Sequence, residues 1–177
     1  MTFLQRFLIA TLFSCSLLAE ASLPVISVDL RSIASGEFHS CGIRAKDSTV
    51  VCWGCNWHGQ CDVPEDLGAA VLVFAEDART CAVKAADHTV VCWGNNLYGQ
   101  CNVPKKLGPV RSISMGFFHA CAVNKKAELY CWGSNVHNGL EIPQNLGPAS
   151  SVMVRDRLTC VTKVNGEEIC WRKKANL

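Results

Sequence analysis

Four residues that could bind a metal or carry out thiol chemistry lie close together in the stretch "VVCWGCNWHGQC", residues 50–61. They are Cys52, Cys55, His58 and Cys61. A Cys-x-x-Cys pair followed by a histidine and a third cysteine fits either a zinc site or a redox motif. Whether either chemistry applies depends on whether the same residues recur elsewhere in the chain.

The same letters do recur, because the chain repeats itself with a period of 39 or 40 residues. Each copy contains two cysteines ten or eleven positions apart, and a tryptophan follows the second one. The first cysteines are Cys41, Cys81, Cys121 and Cys160, the second are Cys52, Cys92, Cys131 and Cys170, and the tryptophans are Trp53, Trp93, Trp132 and Trp171. A period of this length is typical of propellers and other repeat folds.

The recurrence argues against both chemistries at the opening stretch. Cys52 has an equivalent in every copy, whereas the second copy has Asn95 and Tyr98 in place of Cys55 and His58. A structural zinc site is rarely assembled from one repeated position and several that vary. No βαβ pattern surrounds the motif, which disfavours a thioredoxin-like role. We therefore expect no metal and no other cofactor.

Each copy is predicted to consist of β-strands. Short runs of alternating or β-branched residues, such as "RSIAS", "TVVCW" and "ELYCW", are separated by turn residues. Four such copies match one blade per repeat of a propeller. We predict an all-β fold, a small β-propeller-like array of about four blades, with the four tryptophans packed between the blades.

We predict that the four blades close into a ring sealed by the Leu23-Pro24 segment, which joins the last blade. Leu23-Pro24 lies in phase with Val63-Pro64, and the last copy stops before its own Val-Pro. The chain therefore begins with the part of the repeat that its last copy lacks, as a ring sealed by its first and last segments would require. The alternatives are an open arc, or half of a larger ring completed by a second chain.

The cysteine spacing predicts one disulfide in each hairpin. Pairing within a copy leaves two-residue turns at Lys46-Asp47 and Ala86-Asp87, and three-residue loops in the last two copies, where Gly166 suits a bulge. Each bridge would stabilise the fold by about 3 kcal/mol on the chain-entropy estimate. The predicted bridges are Cys41–Cys52, Cys81–Cys92, Cys121–Cys131 and Cys160–Cys170. Cys55, Cys61 and Cys101 remain, and either Cys55–Cys61 or Cys61–Cys101 would leave one free thiol.

The N-terminus has the features of a secretory signal. Arg6 precedes an apolar run over residues 7–18, and residues 19–21 read Ala-Glu-Ala, a cleavage pattern. We expect residues 1–21 to be a signal peptide and residues 22–177 to form one secreted, extracellular repeat domain, in which cysteines pair. A net charge of +2 gives no reason to expect nucleic acid, and no later segment favours stable membrane insertion.

At "CWGNNLYGQCNVP", with "FHACAV" and "RSIS" around it, the sequence resembles the repeats of the regulator of chromosome condensation family. The period is closest to the secreted branch that includes β-lactamase inhibitor protein II, and the paired cysteines also resemble crinkly-type receptor ectodomains. The resemblance implies a propeller, although propellers of this family usually have seven blades. The repeat histidine, His39 and His119, is replaced by Arg79 and Leu158 in the other two copies. Exchange-factor activity does not follow, because a signal peptide would remove the chain from the nucleus.

The sequence predicts a binding protein and not an enzyme. His39 and His119 are the best candidates for acid–base catalysis, but their repeat position favours a packed or hydrogen-bonded histidine. Aromatic residues in solvent-facing turns are typical of protein contact surfaces. The loop residues that we predict to bind another protein are Trp57, His58, Leu97, Tyr98, Phe117 and Phe118.

Several alternatives to a secreted binding module stay open. One is an intracellular propeller segment of the guanine-nucleotide-exchange or ubiquitin-ligase-associated type. Another is a fragment of a larger propeller receptor ectodomain. A third is a redox or metal protein built on Cys55, Cys61 and Cys101. Assembly into a homodimer is a further option for the binding module.

Overall fold

Each repeat folds into one antiparallel sheet of three strands, which we call a blade. The computed structural model describes residues 30–136, 138–155 and 158–172, and this part of the chain contains strands and turns but no helix. The four blades are β1–β3 (Leu30–Ser35, His39–Arg44, Val50–Gly54), β4–β6 (Ala70–Glu76, Arg79–Lys84, Val90–Gly94), β7–β9 (Val110–Met115, His119–Asn124, Leu129–Gly133) and β10–β12 (Ala149–Arg155, Leu158–Lys163, Glu168–Trp171). The all-β, propeller-like prediction is confirmed.

The second and third strands of every blade are joined by the predicted disulfide. The two cysteines of each pair stand directly opposite each other in the ladder, with Cα atoms 4.0 or 4.1 Å apart. So short a separation is that of a non-hydrogen-bonded pair, the site at which side chains of neighbouring strands come closest. All four bridges, Cys41–Cys52, Cys81–Cys92, Cys121–Cys131 and Cys160–Cys170, are confirmed.

The turns of the first two hairpins are longer than predicted. Arg44 N–H donates to Thr49 O at 2.9 Å, so four residues form the turn instead of two. The reason is local: the Asp47 carboxylate accepts hydrogen bonds from both the N–H and the hydroxyl of Thr49, at 3.0 and 2.7 Å. Ser48 then takes a left-handed conformation with φ of 61°. The second hairpin repeats the arrangement with Asp87 and Thr89.

The last two hairpins turn through three residues, as predicted. Asn124 N–H donates to Glu128 O and Lys163 N–H to Glu167 O, which leaves three residues in each loop. Gly166 has a φ of 88°, a conformation that glycine adopts without steric cost.

Neighbouring blades pack face to face. The side of a blade that carries its disulfide, the cysteine face, contacts the side of the next blade that carries the tryptophan, the tryptophan face. Between blades 1 and 2, for example, Cys41, Ile43 and Val50 pack against Val73 and Trp93. Alternation of side chains along each strand makes this possible, because Cys92 and Trp93 point to opposite faces of one sheet.

The two outer faces of the array are exposed. Ile33 on the tryptophan face of blade 1 is 53% exposed, whereas its equivalents in the other blades are 8% exposed. Trp53 is 38% exposed, so its predicted burial between blades is wrong, because the described chain places no blade against that face. Met153 on the cysteine face of blade 4 is 52% exposed. The two faces that a four-blade ring would bring together are thus both exposed, and Leu23-Pro24 lies outside the described residues.

The outer face of blade 4 is also more polar than the corresponding inner faces. Thr162 stands where the first three blades have Ile43, Val83 and Val123. Its cross-strand partner Glu168 is exposed and replaces Val50, Val90 and Leu129. The outer face of blade 4 therefore offers less apolar surface to a further blade than the inner faces do.

Candidate protein-binding rim

The turn between the first two strands of a blade and the loop after its third strand meet at one edge. Their backbones are joined in each of the first three blades by one hydrogen bond of 2.9 Å: Cys55 N–H to Phe38 O, Asn95 N–H to Ala78 O, and Ser134 N–H to Phe118 O. We call this edge of blades 1–3 the aromatic rim and define it as residues 36–38, 55–62, 77–78, 95–102, 116–118, 134–136 and 138–141. All six predicted binding residues belong to it.

An asparagine side chain organises each loop of the aromatic rim. Asn56 Oδ1 accepts the N–H of Cys61 at 2.8 Å, and Asn96 Oδ1 accepts the N–H of Cys101 at 2.9 Å. In the third loop Asn135 Oδ1 accepts the N–H of Leu140 at 3.1 Å. A side-chain amide thus closes the loop over five residues where no strand partner is available.

A buried glutamine fixes the exposed part of the first two loops. Gln60 is fully buried, and its Oε1 accepts the N–H of His58 at 2.9 Å. Gln100 is 4% exposed and holds Tyr98 in the same way at 2.8 Å. This role was not predicted from the sequence, although the recurring Gly-Gln pair was its signal. Because the backbone is held from below, the side chains above it are presented on a rigid support.

The predicted binding residues differ in exposure. Trp57 is 63%, Leu97 76%, Tyr98 58% and Phe117 41% exposed. His58 is exposed as well, whereas Phe118 is half-buried. Phe117 and Phe118 form an edge-to-face pair with ring centroids 4.8 Å apart, which fixes the orientation of the outer ring. The rim therefore presents large apolar side chains to solvent from loops whose backbone is held in place.

Beneath the rim, histidines connect one blade to the next. His39 Nε2 lies 2.7 Å from Thr80 Oγ1, and His119 Nε2 lies 2.8 Å from Thr159 Oγ1. The hydroxyl of Thr80 in turn donates to Gln60 O at 2.8 Å. Burial lowers the pKa of His39, and Asp77 partly opposes this effect. The prediction of hydrogen-bonded histidines at strand starts is confirmed.

Blade 2 makes the same connection with a different side chain. Arg79 occupies the histidine position, is fully buried, and donates to the carbonyls of Gly116 and Phe117. Blade 3 has Ala120 where the other connections have a threonine. At this interface a larger side chain, Arg79, replaces histidine and a smaller one, Ala120, replaces threonine. Both partners of the connection therefore differ from those at the other two interfaces.

Of the three cysteines outside the hairpin bridges, Cys55 is disulfide-bonded, whereas Cys61 and Cys101 do not pair as predicted. Cys61 and Cys101 both carry free thiols, so neither Cys55–Cys61 nor Cys61–Cys101 forms, and two thiols remain instead of one. Each thiol donates to a backbone carbonyl of its own loop, of Cys55 and of Asn95, at 3.4 Å. Burial raises the pKa of both thiols, which makes them poor nucleophiles.

Cys52 cannot serve as a metal ligand in the stretch of residues 50–61, because its sulfur is bonded to that of Cys41. Among the residues that the structure describes, no group of three or more His, Cys, Asp or Glu is arranged to hold a metal ion. Within the same residues, no helix has the length and apolar character needed to cross a membrane.

Known proteins share both the repeat and the blade arrangement. The family profile of the regulator of chromosome condensation (RCC1) repeat matches residues 30–60 and 110–138. The entire ectodomain of the receptor kinase CR4 from Physcomitrella patens is 30% identical, with a TM-score of 0.67 over 81% of this chain and 39% of that one. The CRINKLY WD40 ectodomain of Arabidopsis thaliana ACR4 is 21% identical, with a TM-score of 0.63 over 82% and 51%. Prp20p from Saccharomyces cerevisiae is 16% identical, with a TM-score of 0.68 over 82% and 46%.

The fold and the rim define the class, a propeller-type array of disulfide-stapled blades. The repeats are similar to those of the RCC1 family in the two stretches that the profile matches, and the related structures share the fold. The chain spans 39% and 51% of the length of the two plant ectodomains, less than two thirds of either.

Proposed function

We propose that this chain is a secreted, non-enzymatic module that binds another protein through its aromatic rim. The observation that carries the proposal is the exposure of Trp57, Leu97 and Tyr98 on loops whose backbones are held by buried side chains. Aromatic anchors on a preorganised surface lose little conformational entropy on binding, so more of their contact energy appears as affinity.

The chemistry beneath the rim supports a non-enzymatic role. A general acid or base must reach its substrate, but His39 and His119 are buried and each faces a threonine hydroxyl of the next blade. Cys61 and Cys101 are the two free thiols of the described chain, and burial keeps both protonated at neutral pH. The histidines and thiols that were candidates for catalysis are thus engaged in structural contacts.

Export is supported by the four disulfides, which form and persist in oxidising compartments. The two plant relatives are ectodomains of receptor kinases. Residues 1–21, the predicted signal peptide, lie outside the described residues. Expression with a C-terminal tag tests this part of the proposal. A secreted product that begins near Ser22 supports it, and retention in the cell with the first residues intact contradicts it.

Two other readings have their own support. The lengths matched in the plant ectodomains favour a piece of a larger propeller receptor as the second candidate. A homodimer would cover the exposed Ile33 or Met153 on the outer faces. Light scattering on the secreted domain separates the homodimer from a monomer by mass. The intracellular exchange-type alternative has weaker support, because a likeness at 16% identity concerns the fold alone.

The binding proposal is tested by removing the rim side chains. In the triple variant Trp57→Ala/Tyr98→Ala/Phe117→Ala we expect the loss of proteins that the unmodified domain captures from extracellular medium. Leu72→Ala/Val164→Ala is the matched control, since it removes side chains of 45% and 62% exposure that lie outside the rim. Equal thermal unfolding of the three proteins must accompany the comparison. An unchanged set of captured proteins in the triple variant would overturn the rim as the binding surface.

A further inference from the structure

The charges at the two edges of the first three blades are opposite in sign. The aromatic rim contains four carboxylates and neither lysine nor arginine among its described residues: Glu37, Asp62, Asp77 and Glu141. The opposite edge consists of the hairpins over residues 44–49, 84–89 and 124–128, which carry five basic and three acidic side chains. Blade 4 places the exposed Arg155 at the end of β10, so the acidic stretch belongs to blades 1–3.

Three of the rim carboxylates lie on the turns and loops that carry the exposed apolar side chains. Glu37 is the immediate neighbour of Phe38, whose ring lies 6.2 Å from that of Trp57. Asp62 is tied to the same loop as Trp57, because its carboxylate accepts a hydrogen bond from Asn56 Nδ2 at 2.7 Å. Glu141 is held in the third loop by Asn138 at 3.0 Å. Negative charge and apolar side chains therefore share the segments of one edge.

We infer that the partner of the aromatic rim is a polypeptide segment that carries lysine or arginine side chains between apolar ones. The inference rests on the proposed function and specifies its partner by charge complementarity. A cationic head group would be attracted by the carboxylates and by the electron-rich faces of Trp57 and Tyr98. Its apolar neighbours would cover Leu97 and Phe117. An acidic segment would instead meet like charge at the rim, which disfavours it by repulsion.

The guanidinium of Arg79 offsets part of the negative charge of Asp77, with which it interacts electrostatically. It is fully buried and its donors are directed to the carbonyls of Gly116 and Phe117. The carboxylates, in contrast, lie at exposed or half-exposed positions. Four carboxylates against one guanidinium leave the rim and its immediate support with a net negative charge.

The test uses a phage library of random short peptides selected on the full secreted domain. We expect the enriched peptides to have a net positive charge together with aliphatic or aromatic residues. Their binding should weaken when the salt concentration is raised from about 0.05 M to about 0.5 M, because exposed charge pairs are screened. Enriched peptides that are neutral or acidic, or a selection without any enriched peptide, overturn the inference.

Three variants locate the binding site and separate the two levels of the proposal. Glu37→Gln/Asp62→Asn removes two rim charges, and we expect about fivefold weaker binding of the enriched peptides. Glu65→Gln/Asp66→Asn makes the same change on exposed carboxylates outside the rim and should leave the affinity unchanged. If Trp57→Ala/Tyr98→Ala/Phe117→Ala abolishes binding but Glu37→Gln/Asp62→Asn has no effect, the rim is still the binding surface. The inference of a cationic partner is then refuted. Peptides that bind all three variants equally well contradict the rim itself.

Discussion

The imidazole of His39 and the hydroxyl of Thr80 join the first blade to the second at 2.7 Å. Thr80 donates its own hydroxyl hydrogen to Gln60 O, so the histidine must be the donor in this pair, with its hydrogen on Nε2. The hydrogen bonds from His39 through Thr80 to Gln60 thus connect the blade interface to the loop that presents Trp57. Packing between blades and presentation of the rim are parts of one network.

The repeat position that holds His39 in blade 1 holds Arg79 in blade 2, and this difference leads to a stability prediction. Arg79→His alone should destabilise the domain by about 1–3 kcal/mol, because the carbonyls of Gly116 and Phe117 lose their donors. Arg79→His/Ala120→Thr rebuilds the pair found at the other interfaces and should recover about 1 kcal/mol relative to the sum of the single changes. Urea unfolding of the two single variants and the double variant measures the coupling. Additive losses would show that the two positions do not act as a pair.

A pH dependence of stability follows from the burial of His39. Its pKa is lowered from 6.5 in the folded state, so the unfolded chain takes up the proton first as the pH falls. The unfolding free energy should therefore decrease as the pH falls below about 6.5, by at most about 1.4 kcal/mol per pH unit for this group, and be insensitive to it above. His39→Gln keeps an N–H donor and removes the titration. Identical pH profiles for the two proteins would contradict the assignment.

The four hairpin disulfides should not contribute equally, although their loops are nearly the same length. Cys160→Ala/Cys170→Ala removes a bridge at the exposed outer face and should cost the chain-entropy term of about 3 kcal/mol. Cys81→Ala/Cys92→Ala removes a bridge whose first sulfur is fully buried between blades 2 and 3, so a packing loss of about 1 kcal/mol or more is added. Denaturant unfolding compares the two variants. Equal losses would indicate that interface packing around the buried bridge contributes nothing.

The remaining thiols should react slowly at neutral pH. Burial is the main cause that raises the pKa of Cys61 and of Cys101 above the ordinary value of 9.0, and Arg79 only partly opposes it at Cys101. We expect iodoacetamide to label both residues slowly at pH 7 in the folded protein and rapidly after denaturation, as followed by peptide mass mapping. Cys61→Ser and Cys101→Ser identify the labelled sites. Rapid labelling of folded protein at pH 7 would favour a redox role.

The sequence predicted the blades and bridges because both follow from local spacing. The Cys41–Cys52 pair repeats in every copy, and a hairpin is the shortest structure that brings such residues together. The turn at Asp47 was not predictable from spacing, because its length is set by side-chain hydrogen bonds to Thr49. The exposure of Trp53 likewise depends on whether a blade lies on its outer side, which repeat position alone does not specify.

The exposed residues of the rim were predicted from the sequence, but the buried residues that hold their backbone were not. Aromatic letters in turns identify Trp57 and Tyr98 directly, since loops are expected at the surface. The role of Gln60 depends on a neighbouring blade, because its carbonyl receives Trp93 Nε1 at 3.0 Å and Thr80 Oγ1 at 2.8 Å. Such contacts join residues twenty or more positions apart. A motif within one repeat therefore shows only one of the two partners.

The polarity of the outer face of blade 4 has a consequence for duplication and protein engineering. A copy of blade 2 or 3 inserted in the middle of the array would meet an apolar cysteine face on one side and an apolar tryptophan face on the other. A copy grafted onto blade 4 would instead place its apolar tryptophan face against Thr162 and the carboxylate of Glu168. We therefore expect internal gene duplication to lengthen this protein readily, whereas extension beyond blade 4 would first require both residues to become apolar.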